Sequence, residues 1–531
     1  LFKLLNNTIM NDFIIHVDQY ITMKYILRKK WILGTIATLV IITIAVIMFF
    51  RYEVDHILGG NTAVVDASQF KTFSGQLAIT NVNVLSTDSE SMHANQTVLI
   101  KGEKIESIGV DIVIPENYHV INGTGQYLMP GLVDSHVHIK KCENDLLLYL
   151  VNGITHIGEM TGMKKHFQYR NEIRDGRLGP DMYIASPKVT SQEGMRPTFR
   201  SWFEKRHQNY TTPLEGRKAV RKYTSMGYDA IKLSSDLSAE IYEAINDEAK
   251  NIGIPVIGHL PVGIGLDDLY QSEQSQLAHI TSITLAELYN LGGLSFENAE
   301  ECLEYFKKNS DAIAIKLKEN NIVVSSTIWL HENVSKQDFD LPNFLKTIEL
   351  EYMNPGWVEG SVVSKGWLPG NNSYENLNNT DPESKRLSEI YWKTHVEIIH
   401  IMTRALFRNG VTVLAGTDAN GACGVIPGFS LHDELESLNK VGVSNAQVLQ
   451  AATTIPSQWM QRNAGKIEVG YKADLVLLKE NPLENIRNTR AINGVFVNGK
   501  FLDRALLDSI LQSIKEANNK SRKISIDEFL N

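Results

Sequence analysis

Between residues 132 and 418 short apolar runs alternate with amphipathic stretches, and that alternation leaves few folds open to the chain. Strand-like runs occur at 132–139, 154–159, 182–186, 230–233, 255–259, 276–279, 322–327 and 411–418, eight in all. Helical text lies between several of them. In 238–251 apolar residues recur at three and four, and Gly253 follows as a stop. Eight β/α units in about 290 residues predict an α/β chain with a (β/α)8 TIM barrel, whose working face is the C-terminal end of its strands. A doubly wound open sheet is the competing topology, but the sequence carries no Gly-rich phosphate loop to support it.

Short β segments flank this region on both sides. They fall at 77–84, 96–101, 104–110 and 118–122, and again at 474–478 and 491–498, where Asn498-Gly499 makes a turn. Two or three strands are marginal alone, so the patches are expected to pair into one composite β-sandwich. The domain reading is therefore 1–52 for a tail and anchor, 53–127 for a linker and the first half of the sandwich, 128–464 for the barrel, and 465–531 for the second half with a terminal helix. Residues 51–75 read as a polar linker. Residues 329–381, rich in Asn, Pro, Gly and Trp, read as an irregular lid or specificity insertion, with Asn371, Asn372, Asn378 and Asn379 on its solvated surface.

Residues 31–50 contain no charge and, as a helix at about 1.5 Å per residue, cross a hydrocarbon core of roughly 30 Å. Lys24, Arg28, Lys29 and Lys30 precede them, which keeps that flank cytoplasmic. No small-x-small cleavage pattern follows Phe50, so an uncleaved single-pass anchor in the cell membrane is preferred over a signal peptide, with the bulk of the protein extracytoplasmic. Met23-Lys24 immediately precedes the basic run, which makes residues 1–22 a candidate upstream extension. The net charge of -9 supplies no basic field, and nucleic acid is set aside as a partner in favour of a small molecule. A homo-oligomer is compatible with the sequence. Cys142, Cys302 and Cys423 are odd in number and widely spaced, so neither a disulfide framework nor a Cys-rich zinc site is expected.

Residues 129–139, Met-Pro-Gly-Leu-Val-Asp-Ser-His-Val-His-Ile, place Asp134, His136 and His138 on alternate positions and so on one strand face. Two imidazoles on one face can share a metal ion, zinc being a natural match, although two satisfied core histidines have the same spacing. Further polar residues sit at the ends of other strands: Lys232 within the fourth, His259 ending the fifth, His279 ending the sixth and Asp418 ending the eighth. Each has a plain alternative: a snorkelling amine for Lys232, a packed ring for His259, a turn cap for Asp418. Six such residues at one face of a barrel favour a metal centre, because charged groups are rarely buried unpaired.

These motifs, with Gly153-Ile154-Thr155, Gly258-His259-Leu260-Pro261, Gly416-Thr417-Asp418 and the closing stretch 470–478, resemble the amidohydrolase superfamily of metal-dependent hydrolases, and within it the imidazolonepropionase-like and prolidase-like branch. The resemblance spans about residues 76 to 505. It implies that His136, His138 and Asp418 hold one divalent ion and His259 and His279 a second, Zn2+ being the expected identity, bridged by Lys232 as a carbamate. It also implies that a hydroxide between the ions attacks the substrate, with Asp418 taking its proton and Lys232 completing the catalytic pair. The expected activity is hydrolysis of an amide, peptide-like or cyclic amide C-N bond. A mononuclear deaminase or lactonase-type hydrolase, with one ion and an unmodified Lys232, and a non-catalytic membrane-tethered binding protein stand as alternatives. One departure from the branch is visible: its usual Arg-Asp pair after the second strand is replaced by His156-Ile157-Gly158-Glu159-Met160-Thr161-Gly162. Glu159, His156, His331 and Tyr169 are further pocket candidates, each with a structural alternative.

Overall fold

The computed structural model describes residues 2–192, 207–375, 381–421 and 423–530, with side chains from residue 10 onward. The chain divides into two units, Leu1–His56 and Ile57–Asn531. The first is part of one helix, Phe2–Ile57, which contains the apolar run 31–50. Among the described residues it is the one helix long and apolar enough to cross a membrane. It overruns the linker expected to begin at residue 51, because residues 51–58 contain no glycine or proline to stop it. Gly59 then takes a left-handed backbone, φ +87°.

In the second unit, strands from both ends of the chain share one nine-stranded sheet. Tyr127–Pro130 runs antiparallel to Leu475–Leu478, with Leu128 opposite Leu477, and parallel to Leu77–Leu85. Leu77, Ile79, Val98, Ile100, Leu128, Leu475, Leu477 and Phe496 form the core of this sheet. Alternate residues of each strand supply it, as the two-residue period demands.

The eight parallel strands are Leu132–Val137, Ile154–Glu159, Asp181–Ile184, Ile231–Leu233, Val256–Gly258, Gln274–Leu277, Val323–Ser325 and Val413–Leu414. The first three pair side by side, and the fourth to the eighth pair in chain order. A parallel bridge between Ala185 and Ala230 joins the third strand to the fourth. Ser135 donates to the Ala415 carbonyl at 3.0 Å and Asp418 to the His136 carbonyl at 2.8 Å, tying the eighth strand to the first. Of two short strands absent from the sequence reading, Lys188–Thr190 lies beside the fourth and His207–Asn209 pairs with Lys188–Thr190 on its outer side. Ile231 and Leu233 pack with helix residues such as Ile241 and Ile245 in the main core, while Lys232 between them faces the other way. Full burial of one such aliphatic side chain is worth about 1.5–3 kcal/mol. The helix Ala239–Ile252 starts after Ser238 and stops at Gly253, φ +79°, close to the expected bounds.

The interval 329–381 is more regular than its composition suggests. Ile328–Leu345 is a helix with Asp340 at a kink before Pro342, and Pro355–Glu359 is a second, short one. Ile328, Leu330, Val334, Leu341, Phe344 and Leu345 are buried, so tertiary packing outweighs the Asn and Pro content. Asn372 is not solvated: it is 1% exposed and its amide reaches the Trp367 carbonyl at 3.1 Å and Cys423 Sγ at 3.3 Å. Asn378 and Asn379 lie outside the described residues. All three cysteines are free and buried.

Candidate metal centre

His136 is wholly buried at the end of the first strand. Its Nδ1 sits 3.1 Å from the Ala278 carbonyl, which can only accept, so Nδ1 carries the proton and Nε2 is left with its lone pair. That Nε2 has no hydrogen-bond partner among the described residues and lies 3.4 Å from Asp418 Oδ1. His138, two residues on, places its Nε2 2.8 Å from the same oxygen. His136, His138 and Asp418 thus offer ligand atoms all within 4.8 Å of one another, a donor set suited to a divalent transition metal.

The remaining expected residues gather around these three. The His279 ring centroid is 4.7 Å from that of His136 and 5.0 Å from that of His259. Lys232 is 1% exposed, and its Nζ has no hydrogen-bond partner among the described residues. Burial, reinforced by the positive charge of Lys188, pushes its amine down to about 7. Val189 pairs with Leu233, which sets Lys188 beside Lys232 on the same face of adjacent strands. Burial also drives His136 and His259 well below the usual imidazole range and His279 down to about 4, so all three rings are neutral donors. Burial alone would raise Asp418, but the neighbouring His138 and His136 hold it well below the usual carboxylate range. The unpartnered Lys232 Nζ and His136 Nε2, buried beside the Asp418 carboxylate, are costly to leave unmet by a ligand.

The loop carrying Asp418 is strained and tied down. Asp418 and Asn420 both have φ +61°. Asp134, which alternation placed on the histidine face, is used here: its carboxylate accepts from Thr417 Oγ1 at 2.7 Å and Thr417 N at 3.1 Å. Burial pushes Asp134 up to about 7, against the pull of those donors. Asp145 accepts from Asn420 Nδ2 at 2.8 Å two residues beyond Asp418.

Glu159 takes the structural role: it accepts from Thr161 N at 2.8 Å, from Thr161 Oγ1 at 3.2 Å and from the Ile139 backbone N-H. Thr161 Oγ1 in turn lies 2.9 Å from His138 Nδ1, and Thr327 Oγ1 lies 2.8 Å from His279 Nδ1. His156 is directed away from the cluster, with Nδ1 3.0 Å from Thr155 Oγ1 and Nε2 3.6 Å from Asp474. Tyr169 is buried against His166 at 6.2 Å between ring centroids. His331 stands one turn into the helix after Thr327, stacked edge-on with His395 at 5.4 Å, and burial brings it down to about 3. Thr161, Thr327 and Thr417 were not legible beforehand. Their one signal is a hydroxyl residue just beyond, or beside, a strand-end candidate.

The model of the amidohydrolase family matches residues 127–502. A 5'-deoxyadenosine deaminase of Methanococcus maripaludis is 21% identical over 491 residues, covering 84% of this chain and 96% of that protein. Among solved structures, the bottromycin amidohydrolase superposes with a TM-score of 0.61 at 20% identity, over 83% of this chain and 90% of its own. A Xaa-Pro dipeptidase with bound methionine in the active site gives 0.58 at 18%, over 81% and 100%. At these identities the structural likeness speaks for the fold alone, a TIM barrel with an additional domain.

Proposed function

This chain belongs to the amidohydrolase family, and from that premise we propose that it is a membrane-anchored, binuclear metallohydrolase that cleaves a C-N bond of a small molecule. The observation that carries the proposal is the buried Lys232 amine, without a hydrogen-bond partner among the described residues, set among His136, His259, His279 and Asp418. In this reading the eight strands are a closed barrel, 128–464, and the nine-stranded sheet is the composite domain built from 53–127 and 465–531. Residues 31–50 are the single membrane span, and the basic flank Lys24 to Lys30 keeps the body on the extracytoplasmic side.

His136, His138 and Asp418 would hold one ion, His259 and His279 the other, Zn2+ being the natural occupant of such nitrogen-rich positions. A pair of divalent ions, when bound, supplies Lewis acidity and brings the pKa of water from 15.7 toward about 7. The neutral Lys232 amine would add carbon dioxide with release of one proton, and the resulting carbamate would supply the oxygen donors that a protonated amine cannot. Asp418 accepts the proton of the attacking water and passes it to the leaving nitrogen. The approach of its Oδ1 to His136 and His138 supports this reading. Asp134, through Thr417, keeps the Asp418 backbone in its strained conformation.

Lys232→Ala tests the assignment. It should abolish activity and recover it when a short-chain carboxylic acid is supplied to replace the carbamate. The likeness to a deaminase across 84% of the chain favours a second reading, a mononuclear deaminase with an unmodified Lys232. Metal content per chain, after reconstitution with and without bicarbonate, separates the two: two ions that depend on bicarbonate support the first, one ion regardless supports the second. A screen of N-acylated amino acids, Xaa-Pro dipeptides, lactams, lactones and adenosine-type nucleosides identifies the substrate class.

A further inference from the structure

The helix Ile328–Leu345 begins in an unusual way. Its N-cap residue, Thr327, would ordinarily turn its hydroxyl back onto the first backbone N-H groups. Here that side chain makes no capping bond, and its Oγ1 lies 2.8 Å from His279 Nδ1 instead. The backbone of Thr327 is left-handed, φ +50° and ψ +37°, a conformation that a β-branched residue rarely adopts. The donors abandoned at the helix start are taken up from another helix. Glu434, wholly buried within Phe429–Lys440, accepts from Ile328 N at 3.0 Å, Trp329 N at 2.8 Å and the Ser326 hydroxyl. The carboxylate therefore grips the residues on both sides of Thr327. Thr327 N also donates to the Gly416 carbonyl at 3.2 Å, two residues before Asp418.

We propose that Glu434 is a positioning residue for the metal centre: by capping this helix from outside, it frees the Thr327 hydroxyl and holds it where His279 must present Nε2 to the ion. The inference rests on reading His279 as a ligand. A strained residue persists only where its surroundings over-determine it, and Glu434 is the group that does so here. The arrangement recurs on the opposite side of the site. Glu159 accepts from the backbone and hydroxyl of Thr161, whose Oγ1 meets His138 Nδ1. In both cases a buried glutamate sets a threonine and the threonine sets an imidazole. Such outer partners fix the orientation and tautomer of a ligand, and their loss typically costs 10–100-fold in metal affinity.

The test is zinc titration of the full-length protein in detergent against a competing chelator, with metal content per chain and the thermal midpoint of the ion-free protein measured alongside. Glu434→Ala should weaken one of the two ions by about 10–100-fold, and Glu434→Gln, which keeps an acceptor for the helix N-H groups, should recover most of the affinity. Thr327→Gly guards against a trivial loss of folding. Glycine accepts the left-handed backbone at no steric cost, so the ion-free midpoint should hold or rise while ion affinity falls by about tenfold or more. Thr327→Ser should bind as the wild type does. Wild-type zinc affinity in both Glu434→Ala and Thr327→Gly, alongside an ion lost in His279→Ala, overturns the role of Glu434 alone. Both ions retained in His279→Ala overturns the ligand reading and this inference with it.

Discussion

Lys232→Met in the ion-free protein isolates the energetic cost of building the site. The amine falls from its ordinary 10.5 to about 7, first because burial strips its hydration and second because Lys188 stands beside it. At about 1.4 kcal/mol for each tenfold loss of proton affinity, that drop costs the ion-free fold about 4 kcal/mol at pH 7. Methionine fills a similar volume with no charge to desolvate. The variant should therefore be the more stable of the two without ions, by up to about 4 kcal/mol, or about 4 °C for a body of this size. The pH dependence carries the sign. Between about 7 and 10.5 the unfolded chain holds a proton that folded Lys232 has released, so wild-type stability rises with pH across this window and Lys232→Met is flatter there. Calorimetry of chelator-treated protein in detergent, from pH 7 to 10, measures both. A variant that melts at or below the wild type at pH 7, with the same slope, refutes the claim that this amine is buried at a cost.

Asp418→Asn should cut turnover by roughly a hundredfold or more while leaving substrate affinity near wild type, because the amide keeps a ligand oxygen but cannot shuttle a proton; separate kcat and KM values decide it. His432 is buried between Thr489 Oγ1 at 2.9 Å and the Asn152 carbonyl at 3.1 Å, and burial, with Arg490 behind it, holds its pKa down to about 3. Between pH 6.5 and about 3 the unfolded chain binds a proton that the folded one refuses, so acid destabilises the wild type and His432→Gln should lose less stability per pH unit in thermal melts over that range. Removing residues 1–56, the separate helical unit, should yield an active protein in the soluble fraction; an inactive, insoluble product on fractionation would give the helix a role beyond tethering.

Much of this protein is written in local pattern. A period of two puts His136 and His138 on one strand face, apolar runs mark the eight strands, and a charge-free run of twenty residues marks the N-terminal helix, because each signal needs only neighbours in the chain. Strand ends were less legible. The last run, expected over 411–418, keeps strand geometry only at Val413–Leu414, because the Thr417 bonds to Asp134 and the left-handed Asp418 pull the chain out of the ladder. The helix Ile328–Leu345 was hidden for a related reason: its apolar face is stabilised by tertiary burial, while its composition argues for a loop.

Tertiary structure alone decided how the candidate ligands are aimed. Glu434 meets Ser326 across 108 positions of sequence, and Thr417 meets Asp134 across 283. No periodicity links such pairs, since hydrogen bonds depend on where side chains end up in space and carry no trace in the spacing of residues. The chain's pattern therefore names candidate donor groups, whereas only the folded packing brings the ligand atoms of His136, His138 and Asp418 within 4.8 Å of one another.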